Sequence, residues 1–179
     1  MCVDFCVFIG RISILRVIFY FIAQFMGGLI GIGFLKLITP IDWWVSCFAA
    51  NTINAELTVG HAFVVEFILT FFLVFVVMAA CDSHKSNQTL VPFAIGMAVF
   101  CSHMLALPVD GCSINPTRSF ASAAAASGVS GCGAVWSGHW VYWIAPLLGG
   151  PLAGFVYDYL FHEGGQRVER LIDQYIKRF

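Results

Sequence analysis

The sequence predicts an all-α membrane protein, and three observations carry that prediction. Of the 179 residues, 60% are hydrophobic and only 11% are charged. The mean hydropathy of +0.87 is more than a soluble domain of this size needs. Four segments are long and apolar enough to cross a bilayer, and a fifth is helical but only half as long. A net charge of -1 with no long basic run gives nucleic acid no footprint. The lipid bilayer is the expected partner.

The first span, 14–37, is interrupted only by Arg16 near one end and Lys36 near the other, and its Gly27, Gly28, Gly31 and Gly33 suit close helix packing. The second, 62–81, carries one charge, Glu66. The third, 90–107, has no formal charge but contains His103, and it is expected to end at Pro108. The fourth, 140–161, holds Pro146, Gly149, Gly150, Pro151 and Gly154, breakers that membrane helices tolerate where neighbours satisfy the freed backbone.

Charge sets the orientation. Arg11, Arg16, Lys85, Arg167, Arg170, Lys177 and Arg178 fall on one side of the four spans, which marks that side, with both termini, as cytosolic. Loops 38–61 and 109–139 take the other side, where Trp43, Trp44, Trp136 and Trp140 would form an aromatic belt. The acceptor triplet Asn87-Gln88-Thr89 then lies in the cytosol and is expected to carry no glycan. Asp4 and Arg11 interrupt the apolar start, so no cleavable signal peptide is expected. Residues 1–162 read as the transmembrane domain and 163–179 as a polar cytosolic tail, with Val168, Leu171, Ile172 and Tyr175 at helical spacing.

Seven cysteines (Cys2, Cys6, Cys47, Cys81, Cys101, Cys112, Cys132) are scattered, without Cys-x-x-Cys pairs or interleaved histidines. Neither a zinc site nor a disulfide framework is indicated, and most are expected to be small packing residues. His61 and Glu66 lack the spacing of a metal-binding helix, and no Ser-His-Asp or His-Glu-x-x-His pattern occurs. No enzyme activity, metal or cofactor is expected.

The densest signal is Gly-Cys-Ser-Ile-Asn-Pro-Thr-Arg-Ser-Phe at 111–120. Asn115 is a strong N-cap, Pro116 suits the first helical position, and the Ala-rich run to Ala126 continues the helix. That helix would measure about 16 Å, roughly half the hydrocarbon core, so it enters the membrane without crossing it. Arg118 sits in its first turn, where the macrodipole is already positive, and an arginine at membrane depth costs about 2.5 to 3.5 kcal/mol. A positive helix end with a fixed guanidinium on an aqueous path is a barrier to protons and cations.

These residues resemble the second Asn-Pro-Ala motif of the aquaporin family, within the major intrinsic protein superfamily. Other segments agree in order. Ile12-Ser13-Ile14-Leu15-Arg16 with Phe19-Tyr20 and Ala23-Gln24 resembles the family's third helix, and Glu66 falls where the fourth carries a buried carboxylate. Pro92-Phe93-Ala94-Ile95-Gly96 resembles the start of the fifth, and His139-Trp140-Val141-Tyr142-Trp143 with Pro146 resembles the sixth. The resemblance implies a bundle lacking the first two spanning helices, with four spans, one re-entrant half-helix and a stub of the other, that is, an N-terminally truncated member.

By the same resemblance, Asn115, Pro116 and Thr117 form the motif, Thr117 standing where the family usually has Ala, which could reshape the path. His103, Cys112 and Arg118 take selectivity-filter positions, and a mercurial bound at Cys112 would block flow. Ser119, Ala123, Tyr142 and Trp143 match the water-selective type, and Glu66 would brace the re-entrant loop. The implied function is passive water transport by a tetramer, in the plasma membrane. The alternative is a non-conducting truncated isoform or fragment that associates with full-length channel subunits.

Overall fold

The computed structural model describes residues 14–82 and 88–162, and all its regular structure is helical. Five α-helices follow in order: α1 (Ile14–Ile38), α2 (Val59–Cys81), α3 (Val91–Asp110), α4 (Pro116–Ala126) and α5 (Val141–Tyr157). Short 3-10 turns at Ile41–Ala49 and Gly133–Trp136 lie in the two long loops, and a π-turn, Asp158–His162, extends α5. Helices α1, α2, α3 and α5 with its extension are each long and apolar enough to span a membrane. The first-motif stub, the Asn87 acceptor and the 163–179 tail lie outside the described residues.

The boundaries follow local chemistry. Helix α2 starts three residues before the expected span because Thr58 caps it: the Thr58 hydroxyl accepts the His61 amide, and His61 Nδ1 accepts the Thr58 amide at 3.1 Å. Helix α3 does not end at Pro108. It runs on to Asp110, and Gly111, at φ +83°, closes it by donating to the Ala106 and Leu107 carbonyls. The loop residue Asn54 takes up carbonyls of the last turn: its side-chain amide donates to Pro108 O and its backbone N–H to Val109 O. Helix α4 has the expected bounds, with the Asn115 side chain accepting the Thr117 amide at 3.0 Å.

Helix α2 is the hub, with α5 on one flank and α3 on another. A methyl group at Gly149 would lie 2.5 Å from the Phe67 carbonyl oxygen, so α5 and α2 touch backbone to backbone. The first-span glycines behave unequally. Only Gly28 makes a close approach, with a Cβ position 3.1 Å from Thr117 Cγ2 and 3.4 Å from Ala121 Cβ on α4, while Gly27, Gly31 and Gly33 have nothing within 4 Å. Apart from that seam α1 is exposed, and none of its spanning window is buried.

The expectation that the cysteines form no disulfide is overturned. Cys47 and Cys132, 85 residues apart and with Cα atoms at 5.6 Å, are bridged. They meet because the two long loops fold over the C-terminal end of α4, where Phe48, Ala123, Ala126, Cys132 and Val135 form one apolar cluster. Lys36 joins them. It does not snorkel outward: its Nζ donates to the Ala125 carbonyl at 3.0 Å and lies 4.8 Å from the Trp44 ring centroid. Trp43, Trp136 and Trp140 are exposed.

Candidate functional site

The segment joining α3 to α4 is held in a conformation the chain would not choose alone. Cys112 (φ +57°) and Ile114 (φ +44°) both have left-handed backbones, costly for any L-residue and most of all for β-branched Ile114. Two buried carboxyl groups hold it there. Asp110 Oδ1 accepts the Cys112 amide at 3.0 Å, and Glu66 accepts the Ser113 amide on Oε1 and the Ile114 amide on Oε2, both at 2.6 Å. Peptide units are planar and trans, so the carbonyls of Gly111, Cys112 and Ser113 point away from these carboxyls.

Asp110 Oδ2 is buried without a hydrogen-bond partner, and the Asp110 and Glu66 carboxyl groups are close enough to act on each other electrostatically.

Beyond this segment lies a cavity of about 400 Å³. Leu73, Val74, Val77, Ile95 and Val99 give it apolar walls, and Gln24, His103, Ser113, Asn115 and Arg118 give it polar groups. His103 Nδ1 lies 2.9 Å from the Val99 carbonyl, which can only accept, so the neutral ring carries its hydrogen on Nδ1 and keeps Nε2 as an acceptor. Arg118 donates to Asn51 Oδ1 at 2.5 Å and more weakly to Ser122 Oγ at 3.4 Å. Asn51 is itself fixed: its amide donates to the Asp110 carbonyl at 3.0 Å, and its Oδ1 also accepts Ser119 Oγ at 2.7 Å. Glu66 and Asp110 are close enough to Arg118 to act on it electrostatically. An apolar-walled cavity with an acceptor, a cation and a helix N-terminus can replace the hydrogen bonds of water while repelling cations.

The residues singled out from sequence thus divide. His103, Asn115 and Arg118 line one cavity. Cys112 does not: its side chain is fully buried against Leu69, Ala106 and Ile114. Pro116 is buried at the start of α4, and Thr117 points at Gly28 of α1, not at the cavity. Ser119 stands behind Arg118 on Asn51, Ala123 is in the loop cluster, and Tyr142 is enclosed with Ala62, Val141 and Ala145. Trp143 stacks on Phe25 at 5.5 Å and meets Phe120 edge-on.

Asn51 and Asp110 were not singled out. Asn51 is one polar residue in a long loop and carries no sequence signal. Asp110 had one, an acid beside a membrane motif, but it was hidden by ending the third span at Pro108.

Apolar spans packed around a re-entrant half-helix, with a polar-tipped cavity at its N-terminus, define a polytopic integral membrane protein of the re-entrant-loop class. A family model described as "Major intrinsic protein" matches residues 2–157, and the chain belongs to that family. It is 39% identical to aquaporin-4 of Mus musculus over 168 residues, 93% of this chain and 50% of that protein. To aquaporin-5 of Ovis aries it is 37% identical over 152 residues, 84% of this chain and 55% of that protein. The X-ray structure of the aquaglyceroporin from Plasmodium falciparum shares the fold, with a TM-score of 0.73 at 20% identity, covering 86% of this chain and 68% of that one. The chain spans about half the length of the curated relatives it matches.

Proposed function

We propose that the chain contributes a water-selective path across the plasma membrane, passively and without a cofactor, as a homo-oligomer with both termini in the cytosol. The observation that carries this reading is the convergence of His103, Asn115 and Arg118 on one apolar-walled cavity. His103 fills space that a polyol backbone would need, and its free acceptor and the guanidinium offer water replacement hydrogen bonds. The orientation is supported by the basic residues on one face and the Cys47–Cys132 bridge on the other, since disulfides persist on oxidising sides. A mercurial reaching Cys112 would disturb the 111–115 segment and so block flow.

The test is osmotic swelling of oocytes expressing the chain, with surface delivery measured, glycerol uptake as a control and an Arg118→Val variant alongside. Swelling well above background, with Arg118→Val admitting glycerol, is the expected result. Background swelling despite surface delivery would defeat it and favour a second reading, a non-conducting chain that joins complete subunits. What speaks for that reading is α1, whose apolar residues such as Leu15, Phe19 and Phe34 are exposed.

A further inference from the structure

We propose that the Cys47–Cys132 bridge positions Asn51 against Arg118, so that the filter contact depends on the oxidised state of the loop face. Three consecutive non-glycine residues next to the bridge, Cys47 (φ +51°), Phe48 (φ +52°) and Ala49 (φ +50°), have left-handed backbones. L-residues visit that region singly and at a cost, so a run of three persists only where something outside it fixes both ends. One end is the bridge to Cys132. The other is Asn51, two residues beyond the run, buried and bonded to the Asp110 carbonyl, Ser119 and Arg118.

The bridge therefore sets the height at which the chain re-enters the protein to deliver the Asn51 side chain. Phe48 in the loop cluster and Lys36 over the Trp44 and Phe48 rings hold the same turn, but through contacts that can slide; the covalent link cannot. Cys132 lies just beyond α4, six residues after Ala126, so the bridge ties the support of Arg118 to the helix that carries Arg118. Cys47 is only half-buried, which leaves the bridge open to attack by a thiol from the loop side.

Opening it with dithiothreitol is a balanced exchange. The S–S bond breaks, Cys47 and Cys132 each gain a hydrogen, and the dithiol supplies the two electrons and two protons and becomes a cyclic disulfide. The freed turn relaxes towards ordinary backbone, Asn51 withdraws, and the guanidinium loses the bond that fixes it across the cavity. A mobile arginine narrows the path less consistently, so a larger solute gains more than water does.

The permeability part of the test rests on the channel reading above; the exchange part does not. Full-length chain is folded first and then treated with dithiothreitol, so that no variant has to fold without the bridge. Cys47→Ser and Cys132→Ser, singly and together, follow, with Cys101→Ser as a control on an exposed free thiol. A mobility shift on non-reducing against reducing gels, lost in all Cys47 and Cys132 variants, is expected; its absence from the wild type would overturn the proposal at once.

In vesicles, the ratio of glycerol to water permeability should rise roughly ten- to a hundredfold on reduction, the factor one hydrogen bond to a charged group is worth. The three bridge variants should match reduced wild type and ignore dithiothreitol. An unchanged ratio in a conducting protein would refute the positioning role. If the chain does not conduct, hydrogen exchange decides: reduction should speed exchange in 45–57 and 113–122 while leaving 62–81 unchanged. No change in those two segments would overturn the proposal whatever the permeability.

Discussion

Replacing Glu66 by Gln changes no volume and removes one charge, yet the geometry makes it one of the worst substitutions in the chain. Glu66 presents an acceptor oxygen to each of two successive backbone N–H groups, at 2.6 Å. Glutamine keeps one oxygen and turns an NH2 towards the other N–H, so one charge-assisted bond becomes a buried donor facing a donor. The lost bond is worth about 1.5 to 3 kcal/mol and the unsatisfied N–H costs about 1 to 3 more. Relaxation of the left-handed Cys112 and Ile114, each strained by about 1 to 3 kcal/mol, returns part of this. A net loss of about 3 kcal/mol remains, or roughly 6 to 12 °C in unfolding midpoint for a chain of this size.

Asp110→Asn, at the neighbouring acid, should do the opposite. Its retained oxygen still accepts the Cys112 amide, and its new NH2 supplies the donor that Asp110 Oδ2 lacks towards Glu66. One added hydrogen bond predicts a gain of about 1 kcal/mol, or roughly 2 to 4 °C. Tryptophan-fluorescence melts of the detergent-solubilised full chain compare the two. A Glu66→Gln midpoint indistinguishable from wild type, or two variants that fall together, would refute this reading of how the two acids hold the 111–115 segment.

Gly149→Ala puts a methyl group 2.5 Å from the Phe67 carbonyl oxygen, which no rotamer relieves, so α5 must leave α2 at a cost of about 3 kcal/mol. Gly31→Ala, with nothing within 4 Å, should leave the size-exclusion profile intact. Burial holds His139, in the loop before α5, below the usual imidazole range, and neither of its ring nitrogens has a hydrogen-bond partner. The unfolded chain therefore takes up this proton first, so stability should fall as pH drops below about 6.5 and level off under the depressed value; a His139→Asn variant should flatten that slope. In thiol labelling, exposed Cys81 and Cys101 should react first and the enclosed Cys112 on the order of a hundredfold more slowly. Equal rates would mean that the segment around Cys112 opens freely.

What could be read from the sequence was what local rules decide. Asn115 and Pro116 start α4 through an N-cap and a ring that suits the first turn, and both act within four residues, so the half-helix bounds come out as expected. The spans are legible for a related reason: without water every backbone group must bond within its own segment, so apolar length alone marks them. His103 and Arg118 were visible because a polar group at membrane depth is expensive and needs a reason.

The residues that support them were not visible, because their partners are distant in the chain. Asn51 reaches across 67 residues to Arg118, Lys36 across 89 to Ala125, and Cys47 across 85 to Cys132. Each closes a loop whose entropy cost grows only with the logarithm of its length, so spacing carries no trace of the pairing. One clue did exist. The orientation argument puts Cys47, Cys112 and Cys132 in the two loops of one face, and a bridge needs an oxidising face and a partner on it. Applied to cysteines as it was to lysines and arginines, the same charge rule would have reduced the candidate pairs to three, of which the structure takes one.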